Sequence, residues 1–154
     1  MKIMMVCLGN ICRSPMADGL MRKKVAEHQL DIVIESAGTE GWHVDESPDE
    51  RMQKTGEENG VPIAHLRGRQ FKTSDFDEFD RIYVMDQSNY ANVVQLARNV
   101  EDKNKIGLML NVLHPGSDME VPDPYFGGND GFQRVFEMLD DATDVLMKEL
   151  KGNG

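Results

Sequence analysis

The sequence predicts an α/β fold in which helices cover a parallel sheet, and two features of the chain predict it. Four short β-branched or apolar segments alternate with helix-like segments, the pattern of strands joined by helical crossovers. No repeat, low-complexity tract or Pro/Gly/Ser linker divides the 154 residues, so 1–154 reads as one unit. A chain of this length buries roughly 70% of the surface its unfolded form exposes, which gives a core without disulfide staples.

The strands are expected at 2–6, 32–35, 81–85 and 106–110. A first helix is expected to start at Pro15, with Ser14 as N-cap and Asp18 in the first turn, where the dipole favours an anion. A second spans 48–58 and is stopped by Asn59-Gly60 and Pro62. A short helix follows at 73–78 and another at 87–98. The last segment sets Phe132, Val135, Phe136, Leu139, Thr143, Leu146 and Leu150 on one face of a helix, with Arg134, Glu137, Asp141, Asp144 and Lys148 largely opposite. That stripe reads as core packing.

Charge and composition exclude several classes of function. The chain carries 17 Lys+Arg against 27 Asp+Glu, a formal charge of −10, and its pI is near 4.8. Such a balance opposes attraction to nucleic acid or anionic lipid, so no nucleic-acid partner is expected and an anionic substrate needs a locally positive site. The longest apolar run, 3–8, falls well short of the ~20 residues that span a bilayer, and no membrane insertion is expected. It also lacks a small-residue cleavage site. With only two cysteines, Cys7 and Cys12, close together in the chain, a reducing, cytoplasmic location is expected. His28, His43, His65 and His114 are scattered without ligand spacing, so neither a metal nor a cofactor is implied. The run Asp75-Phe76-Asp77-Glu78-Phe79-Asp80 lacks the Gly and terminal Glu of a calcium loop and reads as a solvated helix face. The eleven methionines read as core filler.

Between the first strand and the first helix lies Cys7-Leu8-Gly9-Asn10-Ile11-Cys12-Arg13-Ser14. A strand–turn–helix of this kind aims a run of backbone N–H groups and a helix N-terminus into one concavity, where anions bind. Its single glycine fits neither the dinucleotide fingerprint nor the nucleoside-triphosphate loop. What it has instead is a cysteine and an arginine bracketing five residues. The N–H dipoles, the helix N-terminus and Arg13 are expected to hold Cys7 as a nucleophilic thiolate. The Arg13 guanidinium matches two non-bridging oxygens of a phosphoryl group, in the ground state and in the transition state. Leu8, Gly9, Asn10, Ile11, Cys12 and Ser14 complete the phosphate-binding loop, and the Ser14 hydroxyl can donate to the sulfur. A lone cysteine ending a buried strand is most often a small hydrophobe. The flanking strand, the glycine, the helix start and the arginine spacing together reverse that reading.

Residues 6–15, Val-Cys-Leu-Gly-Asn-Ile-Cys-Arg-Ser-Pro, resemble the signature of the low-molecular-weight protein tyrosine phosphatases. Ser36-Ala37-Gly38-Thr39 with Trp42 after it, Met85-Asp86-Gln87-Ser88-Asn89 and Asp123-Pro124-Tyr125 fall where that family has its motifs, so the resemblance covers nearly the whole chain. It implies hydrolysis of protein phosphotyrosine through a phosphocysteine on Cys7, with Asp123 as general acid and then base. Taken alone, an Asp before Pro is more often a turn former. Here Pro122 and Pro124 restrict the backbone around Asp123, in a loop after the fourth strand that can rise at the same sheet edge as Cys7.

Trp42, Tyr125 and Phe126 are expected to wall a cleft deep enough for an aromatic ring and too deep for phosphoserine. Family members often carry two tyrosines after Asp-Pro, whereas this chain has Tyr then Phe, which removes one hydroxyl and keeps the wall. Ile11 faces the pocket mouth, where relatives resembling phosphoarginine phosphatases have a smaller Thr, so its bulk favours phosphotyrosine. Asn10 suits the left-handed backbone of a tight loop. The resemblance implies that Ser36 and His65 hold it, a support network behind the reacting groups. Cys12 is either a small buried filler or a thiol that captures a sulfenic acid formed on Cys7.

Other readings remain in view. One is a phosphoarginine phosphatase. An arsenate reductase-like enzyme would pass oxidation to further cysteines downstream, and the chain has none after Cys12. A phosphotyrosine reader or a phosphocysteine carrier would need no leaving-group acid such as Asp123. The expected architecture is one doubly wound domain with a four-stranded parallel sheet of order 2-1-3-4 and helices on both faces. Its expected partner is a phosphotyrosine-containing protein.

Overall fold

β1 (Lys2–Cys7) is buried from Ile3 onward on both faces, as a strand with a neighbour on each side and helices above and below must be. The computed structural model describes residues 1–126 and 130–152. After β1 come α1 (Arg13–Glu27), β2 (Val33–Gly38), α2 (Glu50–Glu58), the single turn α3 (Asp75–Glu78), β3 (Arg81–Val84), α4 (Gln87–Leu96), α5 (Val100–Asn104) and β4 (Ile106–Leu108). Two 3₁₀ turns, Met109–Asn111 and Pro124–Phe126, precede α6 (Asp130–Gly152).

The sheet order is β2-β1-β3-β4 and every pair is parallel, with Met4 opposite Glu35 on one side and Ile82 on the other. This is the architecture expected from the sequence. Alternate residues of β1 feed two cores. Ile3 and Met5 pack with α1 and α6, whose expected stripe from Phe132 to Leu150 is buried throughout. Met4 and Val6 pack on the opposite face with Phe71, Phe76, Phe79 and Val93. Crossovers leave β1 in opposite directions toward β2 and β3, so the loop after β1 stands at the point where the winding reverses, at the carboxyl edge of the sheet. Lys24 ties α1 to α6, its buried ammonium held by Asp140, Thr143 and Asp144.

Several local expectations are corrected. α1 begins at Arg13, with Cys12 in the cap position and no side-chain cap, because the Ser14 hydroxyl is used inside the loop. Asp18 lies beyond the first turn and is buried against Arg22. α2 starts at Glu50, since Asp49 caps it by accepting the Arg51 N–H at 2.8 Å. β2 runs on to Gly38, β4 stops at Leu108, and α4 ends at Leu96. α5 was not expected: it is a short polar turn capped by Asn99, with no apolar period to announce it. The acidic run around α3 is a solvated face only in part: Asp77, Glu78 and Asp80 are exposed. Asp75 is 1% exposed and receives both Arg69 and the Lys72 N–H, while Phe76 and Phe79 sit in the second core.

Candidate active site

The loop from Cys7 to Ser14 is built from the outside inward. The carbonyls of Cys7, Leu8 and Ile11 accept N–H groups of Thr39, Glu40 and Asp49 at 2.9, 3.0 and 2.9 Å. A trans peptide points its C=O and its N–H in opposite directions, so the N–H groups of Leu8, Gly9 and Cys12 turn to the inner side. Gly38 makes the close approach possible: a Cβ there would stand 2.9 Å from the Leu8 oxygen and 3.1 Å from the Asn10 nitrogen.

Asn10 takes the left-handed conformation expected of it, φ 59°. Its Oδ1 accepts the Arg69 backbone N–H at 3.0 Å, which fixes the amide orientation and turns Nδ2 toward Ser14 Oγ at 2.7 Å and Ser36 Oγ at 3.0 Å. Because the Ser14 oxygen accepts from Asn10, its own proton is available to the Cys7 sulfur 3.0 Å away, and the Ser14 N–H also points at that sulfur, at 3.4 Å. Ser36 therefore stands where the sequence reading put it. His65 does not: it is exposed and lines a groove beside Ser36, and the third partner of Asn10 is the Arg69 N–H. A backbone donor carries no side-chain signature, which is why the sequence does not reveal it.

Arg13, at the first position of α1, is 2% exposed. Its Nη1 donates to Asp86 Oδ2 at 2.6 Å and to the Val121 carbonyl at 3.1 Å, while Nη2 lies 3.6 Å from Asp123 Oδ2. Burial works against the guanidinium charge, but the neighbouring Cys7, Asp86 and Asp123 outweigh it and hold Arg13 above its ordinary pKa. Asp86 also caps α4 through the Asn89 N–H at 2.7 Å, so one carboxylate fixes both a helix start and the arginine. The segment 85–89 carries the family resemblance, but no role for Asp86 follows from the sequence. The available signal was an Asp before a helix at the end of a central strand.

Asp123 is partly exposed and accepts the Tyr125 N–H at 3.0 Å. Burial first, then the charges of Asp49, Cys7 and Asp123, push the Cys12 thiol up, which favours its protonated form. Cys7, Leu8, Gly9, Ile11, Cys12, Arg13, Trp42, Asp123 and Tyr125 line one cleft of about 200 Å³. Trp42 is 65% and Tyr125 42% exposed, as walls of an open mouth must be. The expectation for the Phe126 side chain falls outside the described residues. His43, one of the scattered histidines with no expected place in the site, also lines the cleft, with Nδ1 3.0 Å from Glu46 Oε2 and its ring against Gly9. Among the described residues no cluster of His, Cys, Asp and Glu has the spacing of a metal site, and no helix is long and apolar enough to cross a membrane.

A sulfur, a guanidinium and a carboxylate thus converge on one small concavity at the carboxyl edge of the sheet. The family model described as low molecular weight phosphotyrosine protein phosphatase matches residues 2–154. A low molecular weight phosphotyrosine protein phosphatase of Schizosaccharomyces pombe is 38% identical over 152 residues, covering 97% of this chain and 96% of its own. Among solved structures, a protein tyrosine phosphatase of Entamoeba histolytica with Hepes in its active site superposes with a TM-score of 0.92 at 39% identity, over 99% of this chain and 98% of that one. A Drosophila arginine phosphatase superposes with a TM-score of 0.89 at 32% identity, over 98% of each chain. The chain belongs to the low molecular weight phosphotyrosine protein phosphatase family, hydrolases that work through a cysteine nucleophile.

Proposed function

We propose that this chain, as one catalytic unit over 1–154, hydrolyses phosphotyrosine in proteins of the cytoplasm through a phosphocysteine on Cys7. The observation that carries the reading is the convergence of the Cys7 sulfur, the buried Arg13 and the Asp123 carboxylate on one cleft, with Arg13 and Asp123 3.6 Å apart. The loop N–H groups and Arg13 hold the phosphoryl oxygens. Asp86 and Val121 occupy Nη1, so the edge offered to two oxygens is the Nε–Nη2 side. The sulfur attacks phosphorus in line, the S–P bond forms as the P–O bond breaks, and protonated Asp123 gives its proton to the departing oxygen. In the second step the Asp123 carboxylate takes a proton from water, the water oxygen bonds to phosphorus, and the sulfur leaves as thiolate, stabilised by the Ser14 hydroxyl and N–H.

An acid beside the loop separates this reading from a carrier or a reader. Because an arginine phosphatase shares the fold, the choice of substrate rests on the cleft itself. Trp42 and Tyr125 form walls suited to a flat ring, and bulky Ile11 narrows the cleft they line. The test is a metal-free assay of phosphotyrosine, phosphoserine and phosphoarginine peptides, with Cys7→Ser as control. Phosphotyrosine is expected to turn over with the highest kcat/KM, and Cys7→Ser to abolish turnover while still binding oxyanions. Preference for phosphoarginine would overturn the substrate reading, and turnover by Cys7→Ser would overturn the nucleophile.

A further inference from the structure

We infer that Arg51 is a positioning residue that clamps the acid-bearing segment onto the phosphate loop; this rests on the reading of Asp123 as general acid. Arg51 occupies the second position of α2, where a cation works against the helix dipole, so its presence is not explained by helix formation. It is held there by Asp49, whose carboxylate meets Nε at 3.1 Å and Nη2 at 2.9 Å. Asp49 in turn donates its backbone N–H to the Ile11 carbonyl at 2.9 Å, so one end of the clamp is the phosphate loop.

The other end is the acid segment. Arg51 Nη2 donates to the Tyr125 carbonyl at 3.4 Å, and the guanidinium stacks 5.3 Å from the centre of the Tyr125 ring. Two residues back along the same turn is Asp123, which accepts the Tyr125 N–H. The guanidinium also lies 4.7 Å from the ring centre of Phe132, which is 1% exposed and anchored in the core at the start of α6. A flat cation forked by one carboxylate and close to two rings can hold Tyr125 in only a narrow range of positions. The carboxyl of Asp123 follows Tyr125.

Arg51 is not among the residues that line the cleft around the Cys7 sulfur, so its loss should spare the chemistry that does not need the acid. The test compares kcat/KM for phenyl phosphate, a poor leaving group, and p-nitrophenyl phosphate, a good one, in the parent, Arg51→Ala, Arg51→Lys, Asp123→Ala and the Arg51→Ala/Asp123→Ala double variant. Arg51→Ala is expected to cost about tenfold on phenyl phosphate and about twofold on p-nitrophenyl phosphate, with phosphate protection of Cys7 from alkylation unchanged. Arg51→Lys keeps the charge without the fork and is expected to recover less than half of the loss on a logarithmic scale. In the Asp123→Ala background the Arg51→Ala loss should vanish, since the group it positions is gone.

Equal losses on both esters, or an Arg51→Ala loss that persists undiminished without Asp123, would overturn the clamp while leaving Asp123 as acid. Equal losses from Asp123→Ala alone would overturn the acid assignment and the clamp with it. Should Arg51→Ala fail to fold, Arg51→Gln carries the same comparison.

Discussion

The two segments that meet at the cleft are held in different ways. In the Cys7–Ser14 loop the outward carbonyls of Cys7, Leu8 and Ile11 are taken by neighbouring N–H groups, and Asn10 is buried with its side chain shared among Ser14, Ser36 and Arg69. The acid segment is anchored in the core through Val121, which is fully buried, donates its N–H to the Met85 carbonyl at 2.8 Å and accepts from Arg13, and is met at Tyr125 by Arg51. Beyond Val121 it rises into a partly exposed turn, where Asp123 is 29% exposed. On the proposed mechanism the contrast follows from what each has to do. A phosphoryl group is recognised by dipoles that must already point inward before it arrives, so the loop is preorganised at the expense of a left-handed Asn. A proton donor has to meet leaving groups of various shapes and exchange its proton with water, so it stands at the solvent boundary.

If that division of labour is right, the largest effect outside Cys7 comes from the acid. Asp123→Ala is expected to cut the rate by about 10²- to 10⁴-fold for poor leaving groups and much less for nitrophenolate, which departs without help. Steady-state rates across a series of aryl phosphates measure this as a steeper dependence on leaving-group basicity. Identical losses along the series would break the comparison at the acid end.

The loop end is tested by Asn10→Ala, with a smaller effect. It strips three partners of their bonds and replaces an Asn, which tolerates φ 59°, by an Ala that tolerates it less, so a stability loss of about 2–4 kcal/mol and a fall in kcat on the order of tenfold are expected. Asn10→Gly separates the causes, because glycine accepts the backbone angle and restores none of the hydrogen bonds. Urea midpoints should then recover in part, while kcat stays low. Full recovery of kcat by glycine would mean that the hydrogen bonds to Ser14 and Ser36 do nothing for the sulfur.

How much of this was legible in the sequence follows from how local each interaction is. The loop was readable because its glycine, arginine and helix start lie within eight residues of Cys7. The parallel sheet was readable from alternation, and α6 from its stripe. Asp86 escaped because its partner Arg13 lies 73 residues away, and no local pattern announces a pair of that separation. The N-cap assignment of Ser14 failed for an instructive reason: the same hydroxyl that suits a helix start was claimed by Asn10 and Cys7, and a functional contact overrode a local propensity. His65 was placed on Asn10 by resemblance, where a backbone N–H does the work. Asp123, an ordinary turn former by itself, gained its meaning from the loop it faces.

The smallest effect concerns the loop's second sulfur. Burial, Asp49, Cys7 and Asp123 raise the Cys12 thiol above its ordinary value of 9.0, so the folded protein keeps that proton where an unfolded chain releases it. A group that binds more protons in the folded state contributes stability that is fully present below the unfolded value and is lost as pH climbs past it. The parent should therefore lose up to about 1.4 kcal/mol per pH unit above that value on account of Cys12 alone. Cys12→Ser removes this contribution, since a serine hydroxyl does not ionise in the range. Urea midpoints taken under reductant from about pH 8 to about pH 10 should show a constant difference between parent and variant at the lower end and a shift in the variant's favour at the upper end. Parallel curves across the whole range would mean that Cys12 ionises as readily folded as unfolded, and that the loop does not keep its second sulfur protonated.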